Sequence, residues 1–462
     1  MGKVNVNEID KESGSTLTLG GPGTAVTLAC GATQTGFGRT GTVDWCTTAK
    51  TSPLTVASGN GYFINTSGGV VTVTLPSSPS AGDIVALKDY ANTWDTNNVI
   101  VGTGGSKING QCEDATLNTE SQSVTLIYVD GTKGWQDIHD STSNVTGGAF
   151  VEATGGTVLT NGDFKTHIFT ASGCFQVTCA GAASGSNTID YLVVAGGASG
   201  GLVRGGGGGA GGFRLSNSYS IPAPTMSPLA NPTGITAAVQ TYPITIGAGG
   251  AGRNVPQPAP QNDGQAGSVS TFSTISSAGG GGGSHCNNNG GSGGSGGGAG
   301  FYGPGAVGSV GAGNTPPVSP PQGQPGGTTT TAGPAPNPQR AGGAGGGAGG
   351  AGGCSSPGGA GKGGIGSFIA DPIIGPTAPS YGTPGPVAGV RYFAGGGGAG
   401  MQCGAGGAAP DGGGGSAGKG TSISCNATAN TGGGAGGAGE ANPGSGSGAG
   451  GSGIVILRYK FQ

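Results

Sequence analysis

Histidines are scarce in this chain, and none lies in a sequence pattern typical of a catalytic set. Only three occur in 462 residues. His139 lies in QDIHD between two aspartates, a spacing that fits either an acid–base or metal cluster or a solvated turn after a strand. His167 lies in the strand-like sequence FKTHIFT, where we expect a surface residue. General acid–base and nucleophilic catalysis need positioned partners, so we favour the turn for His139 and expect no enzyme.

The most polar interruption of the glycine-rich sequence is His285–Cys286–Asn287–Asn288–Asn289. As a zinc site this run is incomplete, because zinc normally takes four ligands. As a display loop it offers hydrogen-bond donors and acceptors to a glycan, which we favour over an incidental turn. The candidate binding residues here are His285, Asn287, Asn288 and Asn289.

Other motifs carry little weight. GxGxxG recurs through composition alone, so it does not indicate a nucleotide site. The segments Gly361-Lys362-Gly363 and Gly418-Lys419-Gly420 lack the Ser or Thr that a phosphate-binding loop requires. We therefore expect no cofactor and no metal.

The nine cysteines are odd in number and widely spaced, and no CxxC occurs. Cys174 and Cys179 are five residues apart in strand-like sequence, so they should point to opposite faces. Free thiols made in a reducing cytosol are the default, and one or two disulfides among the loop cysteines are the alternative.

Composition excludes several classes of protein. Charged residues are 8% and aromatic residues 5%, too few for a large conventional core. The net charge of −3 argues against a nucleic-acid binder, which would carry a basic stripe. No apolar run of membrane-spanning length occurs, and the first 20 residues lack the apolar segment of a signal peptide.

Glycine dominates the second half of the chain, which contains most of the 113 glycines in seven blocks. A flexible linker is one interpretation. Collagen is excluded because the third-residue phase slips. A bundle of extended three-residue-per-turn helices of the polyglycine-II type is the third interpretation. The blocks are Gly205–Gly212, Gly279–Gly300, Gly342–Gly353, Gly358–Gly366, Gly395–Gly407, Gly412–Gly420 and Gly432–Gly450.

Strand-like sequence brackets the blocks, with YLVVAGG before them and GIVILRYKF after them. An apolar strand at the end of the chain needs a partner strand, and the obvious partners precede the blocks. We therefore favour ordered helices that hydrogen-bond side by side, and we expect Gly346→Leu to disrupt folding. The excursions between blocks should gather at the ends of this lattice.

Four regions follow: an attachment segment (1–50), a β-rich shaft domain (51–145), a connector (146–161) and a glycine-rich domain (162–462). No helical periodicity occurs, so the chain is predicted to be all-β. The predicted shaft strands are Leu54–Ala57, Tyr62–Asn65, Val70–Leu75, Asp83–Asp89, Asn98–Val101, Ser123–Val129 and Trp135–Ile138. Six strands are predicted to form a small antiparallel sandwich in the last region: Phe164–Thr170, Cys174–Ala180, Thr188–Ala195, Tyr242–Gly247, Val269–Ile275 and Gly453–Phe461.

Aromatic residues in the glycine-rich region are few, and two interpretations stay open. They pack against the glycine layer, or they contact a sugar or an apolar receptor surface. The residues are Phe301, Tyr302, Phe368, Tyr381, Tyr392 and Phe393.

Several of these segments resemble a known family. They are GYFINTSGGVVTVTLPSSPSAGDIVALKDY, FKTHIFTASGCFQVTCAG with TIDYLVVAGG, YPITIGAGG and the terminal GSGIVILRYKFQ. Together they resemble marine bacteriophage tail-fibre proteins with a glycine-rich C-terminal domain. The block composition is also similar to the polyglycine-II tip adhesins of T-even-type phages, although this chain carries its own shaft and attachment region.

The resemblance implies a homotrimeric virion fibre, made in the host cytoplasm, whose far end recognises a bacterial surface glycan or outer-membrane protein. It implies attachment to other tail proteins through residues 1–50 and no nucleic-acid partner. The scarcity of core-forming residues in the shaft also favours a trimer. The alternatives are a structural or capsid-decorating fibre without receptor specificity, and a depolymerase, against which the lack of an acidic pair in an aromatic groove argues.

Overall fold

The computed structural model describes residues 43–140, 150–182, 185–254, 263–286, 288–303, 306–329, 340–356, 358–402, 404–440 and 445–462. It is almost entirely β, with 32% of residues in strands and 2% in helices, which confirms the predicted class. The predicted attachment segment lies outside the described residues except for its last eight residues, 43–50.

The first domain consists of two sheets packed face to face. One sheet has the order β1-β3-β5-β8-β9 and the other β2-β4-β6-β7. The strands are β1 (Asp44–Lys50), β2 (Leu54–Thr55), β3 (Asn60–Ile64), β4 (Val71–Thr74), β5 (Ile84–Asp89), β6 (Val99–Gly102), β7 (Ala115–Leu117), β8 (Ser123–Asp130) and β9 (Gly134–Asp140).

Alternation of apolar and polar residues builds this domain. In VVTVTLP the side chains of Val71, Val73 and Leu75 are buried, while the two threonines between them are partly exposed. Trp94 and Trp135 complete a single apolar core between the sheets. All seven predicted strands are present, with ends shifted by up to a few residues. Two further strands, β1 and β7, were not predicted. Strand β1 pairs with β3, so the folded domain includes residues assigned by sequence to the attachment segment.

The second domain is built around a seven-stranded sheet of order β11-β12-β25-β14-β15-β16, with β17 also paired to β14. A five-stranded sheet, β10-β13-β18-β19-β20, covers one face. The strands are β10 (Val151–Thr154), β11 (Thr157–Asn161), β12 (Phe164–Phe169), β13 (Gly173–Ala180), β14 (Thr188–Val194), β15 (Phe213–Ser216), β16 (Ala230–Asn231), β17 (Ile235–Thr236), β18 (Thr241–Thr245), β19 (Ser270–Phe272), β20 (Ile275–Ser277) and β25 (Ile454–Lys460).

The two ends of the glycine-rich region meet as predicted. Strand β14 pairs antiparallel with β25, and Tyr191 lies opposite Leu457. The predicted strand Val269–Ile275 is instead a hairpin, because Ser273 has a φ of 52° and reverses the chain between β19 and β20.

The other face of the seven-stranded sheet is covered by an excursion between glycine blocks. It contains β23 (Ser367–Ala370), helix α1 (Asp371–Ile374), a 3-10 helix (Gly375–Ser380) and β24 (Val390–Phe393). Ile373 and Phe393 pack against the sheet, and Thr166 Oγ1 donates to Ile373 O at 2.7 Å. A further small hairpin, β21 (Phe301–Gly303) with β22 (Ala306–Val307), lies within the glycine-rich region.

His167 corrects the expectation of a surface residue. Its side chain is fully buried between the sheets, stacked on Tyr459. Nδ1 donates to Gly155 O at 2.7 Å, and Nε2 lies 3.0 Å from Tyr459 Oη. The imidazole fills a site made by strand β25, which is almost 300 residues away in the sequence. His139 is also placed differently from the prediction, because it is an exposed residue within β9 rather than in a turn.

The glycine blocks are ordered and hydrogen-bonded to one another. Within 205–212, the N–H groups of Gly207, Gly208 and Gly209 donate to Gly343 O, Ala435 O and Gly281 O, which lie on three different segments. Ala210 then returns to the first segment and donates to Gly346 O. Partners therefore repeat every three residues, as expected for helices with about three residues per turn. This confirms the predicted side-by-side helices.

The direction of the helices follows from the partner numbers. Gly205, Gly208 and Gly211 donate to Ala438 O, Ala435 O and Gly432 O, so these two segments are antiparallel. Gly207 and Ala210 donate to residues 343 and 346, so those two are parallel. Neighbouring helices of both directions thus form a lattice, here called the glycine lattice. Hydrogen bonds between backbone groups hold it together in place of an apolar core.

The sandwich and the glycine lattice are continuous. Strand β14 runs into segment 195–202, which turns and returns as 205–212 into β15. Ala195 N donates to Gly212 O beside the strands, and Gly201 N donates to Gly206 O at the opposite end. The lattice therefore has a base at the sandwich and a far end where the outgoing segments reverse.

Candidate binding face

Turns from separate glycine blocks meet at the far end of the lattice. Arg204 N donates to Gly439 O at 2.8 Å, and Phe301 N donates to Arg204 O at 3.4 Å. Gln402 N donates to Arg340 O, and Met401 forms a bridge with Lys419. The far face is defined here by these turns: residues 202–204, 285–289, 301–303, 340, 401–402, 418–423 and 440.

The turn of residues 202–204 is the centre of the far face. Leu202 and Val203 are buried with Ala438, and Cys286 packs against the three. Val203 and Arg204 have φ values of 55° and 52°, the left-handed region that a β-branched residue rarely adopts. Such strain persists where the surroundings over-determine the backbone, and it is concentrated at ligand-binding sites. The lattice therefore holds this turn in one shape.

The predicted loop His285–Asn289 lies beside that turn, held by Asp263. His285 N donates to Asp263 Oδ1 at 2.6 Å, and Asn288 Nδ2 donates to Asp263 Oδ2 at 2.9 Å. Asn289 Oδ1 accepts from Ser309 N at 2.8 Å. Asn288 and Asn289 are exposed, so their remaining donors and acceptors face solvent. Asn287 lies outside the described residues.

His285 and Cys286 are not an activated pair. Cys286 Sγ lies 3.0 Å from His285 Nε2. Burial lowers the pKa of His285 and raises the pKa of Cys286 to about 11. At neutral pH both groups are uncharged, and a single hydrogen bond links the neutral thiol and the neutral imidazole. A reactive cysteine would have a lowered pKa, so this contact is a structural one.

Charged residues of both signs lie on the far face or support it. Arg340 and Lys419 belong to the far face, and Lys419 is exposed. Asp263 and Glu440 supply carboxylates. Guanidinium, ammonium, amide and carboxylate groups together can pair with the hydroxyl, carboxylate and phosphate groups of a bacterial surface glycan. Within the described residues no group of three or more His, Cys, Asp and Glu side chains is arranged to hold a metal ion.

The predicted aromatic residues do not come together. Phe301 lies at the far face but is largely buried, and of Tyr302 only the backbone, in β21, is described. The other four lie at the base. Tyr392 and Phe393 are buried on β24, Phe368 packs on Tyr392 with ring centroids 5.1 Å apart, and Tyr381 contacts the same core.

The excursion 368–393 is therefore not part of the far face. Its side chains, among them Ile373, Tyr381 and Phe393, cover the apolar outer face of the seven-stranded sheet, which a glycine layer without side chains could not do. The packing interpretation, left open by the sequence, holds for Tyr392 and Phe393. Among the described residues, 284–289 and the two ends of the excursion 302–340 lie at the far face, whereas Gln322 in the middle of that excursion accepts from Phe213 N at the base.

Sequence reasoning missed Arg204 and Asp263 as members or supports of this face. The sequence does contain a signal for the ends of the helices, because charged residues are rare in this chain, with only 17 lysines and arginines. A charged residue that interrupts or follows a glycine block marks the place where the helix must end and the chain must turn. Arg204, Lys419 and Glu440 all have this position.

A second exposed surface lies on the first domain. Trp45 and Tyr90 are 44% and 57% exposed, and Phe63 lies between them. The ring centroids of Trp45 and Phe63 are 5.0 Å apart, and those of Phe63 and Tyr90 are 6.5 Å apart. Trp45 lies over Gly61, where a β-carbon would come within 2.7 Å of the indole ring. This aromatic row crosses strands β1 and β3.

The second domain thus consists of a β-sandwich and a glycine lattice that extends from it. A family model described as "Glycine-rich domain" matches residues 170–460, and the chain belongs to that family. The match begins directly after β12 and ends at the last residue of β25, so it includes the lattice and the sandwich strands from β13 onward. No curated protein matches the chain. Among the described residues no helix is long and apolar enough to cross a membrane.

Proposed function

We propose that this protein is a bacteriophage tail fibre that adsorbs to a host cell through the far face of its glycine-rich domain. The observation that carries the proposal is the convergence of turns from separate glycine blocks on one end of a hydrogen-bonded lattice. Rigid scaffolds that present loops are the usual arrangement for binding. The sequence resemblance to marine phage tail fibres supplies the biological setting: a virion, with residues 1–50 attaching to other tail proteins.

The receptor is a bacterial surface glycan or the exposed part of an outer-membrane protein. The composition of the far face favours a polar ligand, because Asn288, Asn289 and Lys419 are exposed there and the nearby aromatic Phe301 is largely buried. Binding of this kind relies on many hydrogen bonds to hydroxyl and anionic groups rather than on apolar contact. The proposed activity is recognition, without bond cleavage.

The test is binding of the labelled full chain to lipopolysaccharide glycan arrays and to whole cells of marine bacteria. A far-face variant, Asn288→Ala with Lys419→Ala, should lose between about fivefold and about 150-fold in affinity, since two hydrogen-bonding groups contribute on the order of 1–3 kcal/mol. The matched control is Ser380→Ala, an exposed residue at the base of the lattice.

The outcomes separate the alternatives. Equal loss in both variants, or no loss in either, removes the far face from the binding site. If the unaltered chain binds none of the cells or glycans while it is found on virions, the structural fibre without receptor specificity is the better description.

A further inference from the structure

The two domains meet at a pair of cysteines. Cys112 lies in the loop between β6 and β7 of the first domain, and Cys179 lies near the end of β13 in the glycine-rich domain. Cys112 Sγ lies 3.5 Å from Thr178 O, the carbonyl of the residue that precedes Cys179. Cys112 is partly exposed, whereas Cys179 is buried at 1% exposure. Both are free thiols in this structure.

The two thiols lie within hydrogen-bonding reach of each other. The single S–H of Cys112 has two acceptors nearby, Thr178 O and the Cys179 sulfur, and the Cys179 sulfur also accepts from the backbone N–H groups of Gly181 and Cys112. The hydrogen bond from Cys112 is the main reason that the pKa of Cys179 is lowered to about 6. The same bond, with burial, raises the pKa of Cys112. The two thiols therefore titrate as a pair, and their arrangement favours a thiolate on Cys179 over one on Cys112.

We propose that Cys112 and Cys179 form a disulfide that fastens the first domain to the glycine-rich domain when the protein meets an oxidising thiol–disulfide pool. The oxidant is a small disulfide of the glutathione class. Of the two sulfurs, Cys112 is the one that such a molecule can reach. Cys179, on the buried side of the same contact, is placed to complete the bond.

The chemistry proceeds by two exchanges. The Cys112 sulfur attacks one sulfur of the small disulfide while its proton passes through the neighbouring Cys179 sulfur to solvent, which forms a mixed disulfide and releases one thiolate. The Cys179 thiolate then attacks the Cys112 sulfur, which breaks the bond to the small molecule and releases a second thiolate. The two released thiolates take up the two protons lost by the cysteines. The protein loses two electrons, and the small disulfide gains them.

The disulfide would add a second covalent connection between Cys112 and Cys179, which are otherwise joined through the polypeptide of residues 113–178. Cys174 offers an internal control, because it lies on the same strand but points to the opposite, exposed face. As predicted from their spacing, Cys174 and Cys179 differ in exposure, and the Cys179 sulfur is the one that contacts the first domain, at Cys112. A specific bridge should therefore choose the buried partner over the exposed one.

The experiment is oxidation of the full chain with glutathione disulfide, followed by alkylation and peptide mapping without reduction. Trypsin leaves Cys174 and Cys179 in one peptide, between Lys165 and Arg204, so the mapping is repeated with Cys174→Ser. We expect the loss of two alkylatable thiols per chain, and a linked pair of peptides containing Cys112 and Cys179 in both the unaltered and the Cys174→Ser chains. The Cys112→Ser chain should give no linked pair.

Three results would overturn the proposal. Both thiols could remain alkylatable after the exposed thiols have reacted. Cys112 could stop at the mixed disulfide with glutathione. The linkage could join Cys112 to Cys174, and so disappear in the Cys174→Ser chain. The inference does not rest on receptor binding, and its failure would leave the proposed function unaffected.

Discussion

Gly346 shows how the lattice fixes the identity of single residues. A β-carbon built on Gly346 would lie 2.2 Å from Gln324 O and 2.6 Å from Pro325 O. Both contacts are to backbone, which cannot move aside without displacing a neighbouring helix. A side chain at position 346 therefore has no room, and this position requires glycine.

Gly346→Ala should therefore lower the free energy of unfolding of the glycine-rich domain by about 3 kcal/mol or more, as an overpacked site does. The matched control is Gly350→Ala in the same block, where the nearest atom is a side-chain carbon of Ile365 at 3.1 Å. Thermal unfolding of the full chain measures both. Similar melting temperatures for the two variants would remove close backbone packing as the explanation. The larger Gly346→Leu change should prevent folding of the domain.

His167 predicts a pH dependence of stability. Burial lowers its pKa in the folded chain, so the unfolded chain binds more protons as the pH falls. Stability is therefore complete above the ordinary pKa of about 6.5 and decreases below it, by up to about 1.4 kcal/mol per pH unit, until the folded pKa is reached. Urea unfolding at pH 7.5 and 5 measures this change.

A His167→Gln variant isolates the effect, because Gln has no titrating group there. His285 also has a lowered pKa and stays in both proteins. We expect a smaller loss of stability between pH 7.5 and 5 in the variant than in the unaltered chain. An unchanged pH dependence would assign the effect to other groups.

Single-residue burial was the least predictable feature of the sequence. FKTHIFT gives no sign that His167 is inside, because the residue that stacks on it, Tyr459, is 292 positions away. Phe393 is similar, since its surroundings come from strands on either side of the lattice. Tertiary partners at such distances decide which face of a short strand is covered.

At the scale of elements, β25 is the strand on which the second domain depends. It lies between β12 and β14, and its two faces contribute to two different apolar clusters. The lattice begins and ends at strands of this sheet, so disruption of β25 should release both ends of the lattice. This dependence arises because β25 is the last strand in the sequence yet lies inside the sheet, between two other strands.

Ile456→Asp should unfold the glycine-rich domain, because it places an unpaired charge at a side chain that is 1% exposed. The first domain, which has its own core, should keep its thermal transition. Val158→Asp on the edge strand β11, at an exposed position, is the control and should change little. Loss of both transitions in Ile456→Asp would mean that the two domains fold as one unit.

The longer elements could be predicted because each carries a local pattern. VVTVTLP alternates with period two, and GIVILRYKF is an apolar strand that needed a partner. The lattice could be predicted from glycine blocks bracketed by such strands. Strands β15, β16, β23 and β24 could not, since each has two to four residues and its pairing depends on the lattice that positions it.

At the scale of the molecule, the structure weakens one reason for expecting a trimer. The first domain buries Trp94, Trp135 and a set of aliphatic side chains in a core of its own, so it does not need other chains for burial. The exposed aromatic row of Trp45, Phe63 and Tyr90 offers a different reason. An exposed aromatic surface is typical of a contact site, and copies of this chain are the partner that a fibre requires.

We therefore still predict a homotrimer, now assembled through the aromatic row. Light scattering of the purified chain at micromolar concentration should give three times the chain mass of 43.2 kDa. Trp45→Glu should give monomers with an unchanged melting transition of the core, because the side chain is largely exposed. A monomer mass for the unaltered chain would contradict the prediction, and a trimer of the Trp45→Glu chain would assign assembly to another surface.

The central claim is that a hydrogen-bonded glycine lattice forms a rigid support for the turns of the far face. Amide hydrogen exchange of the full chain, followed by mass spectrometry of fragments, tests it most directly. Fragments containing residues 205–212 and 341–348 should retain deuterium protection comparable to that of β14 and β25, because their N–H groups are bonded between helices. Fragments containing Asn288 and Lys419 should exchange faster. Exchange of the glycine blocks at the rate of an unstructured chain would contradict the lattice and would favour the interpretation of these segments as flexible linkers.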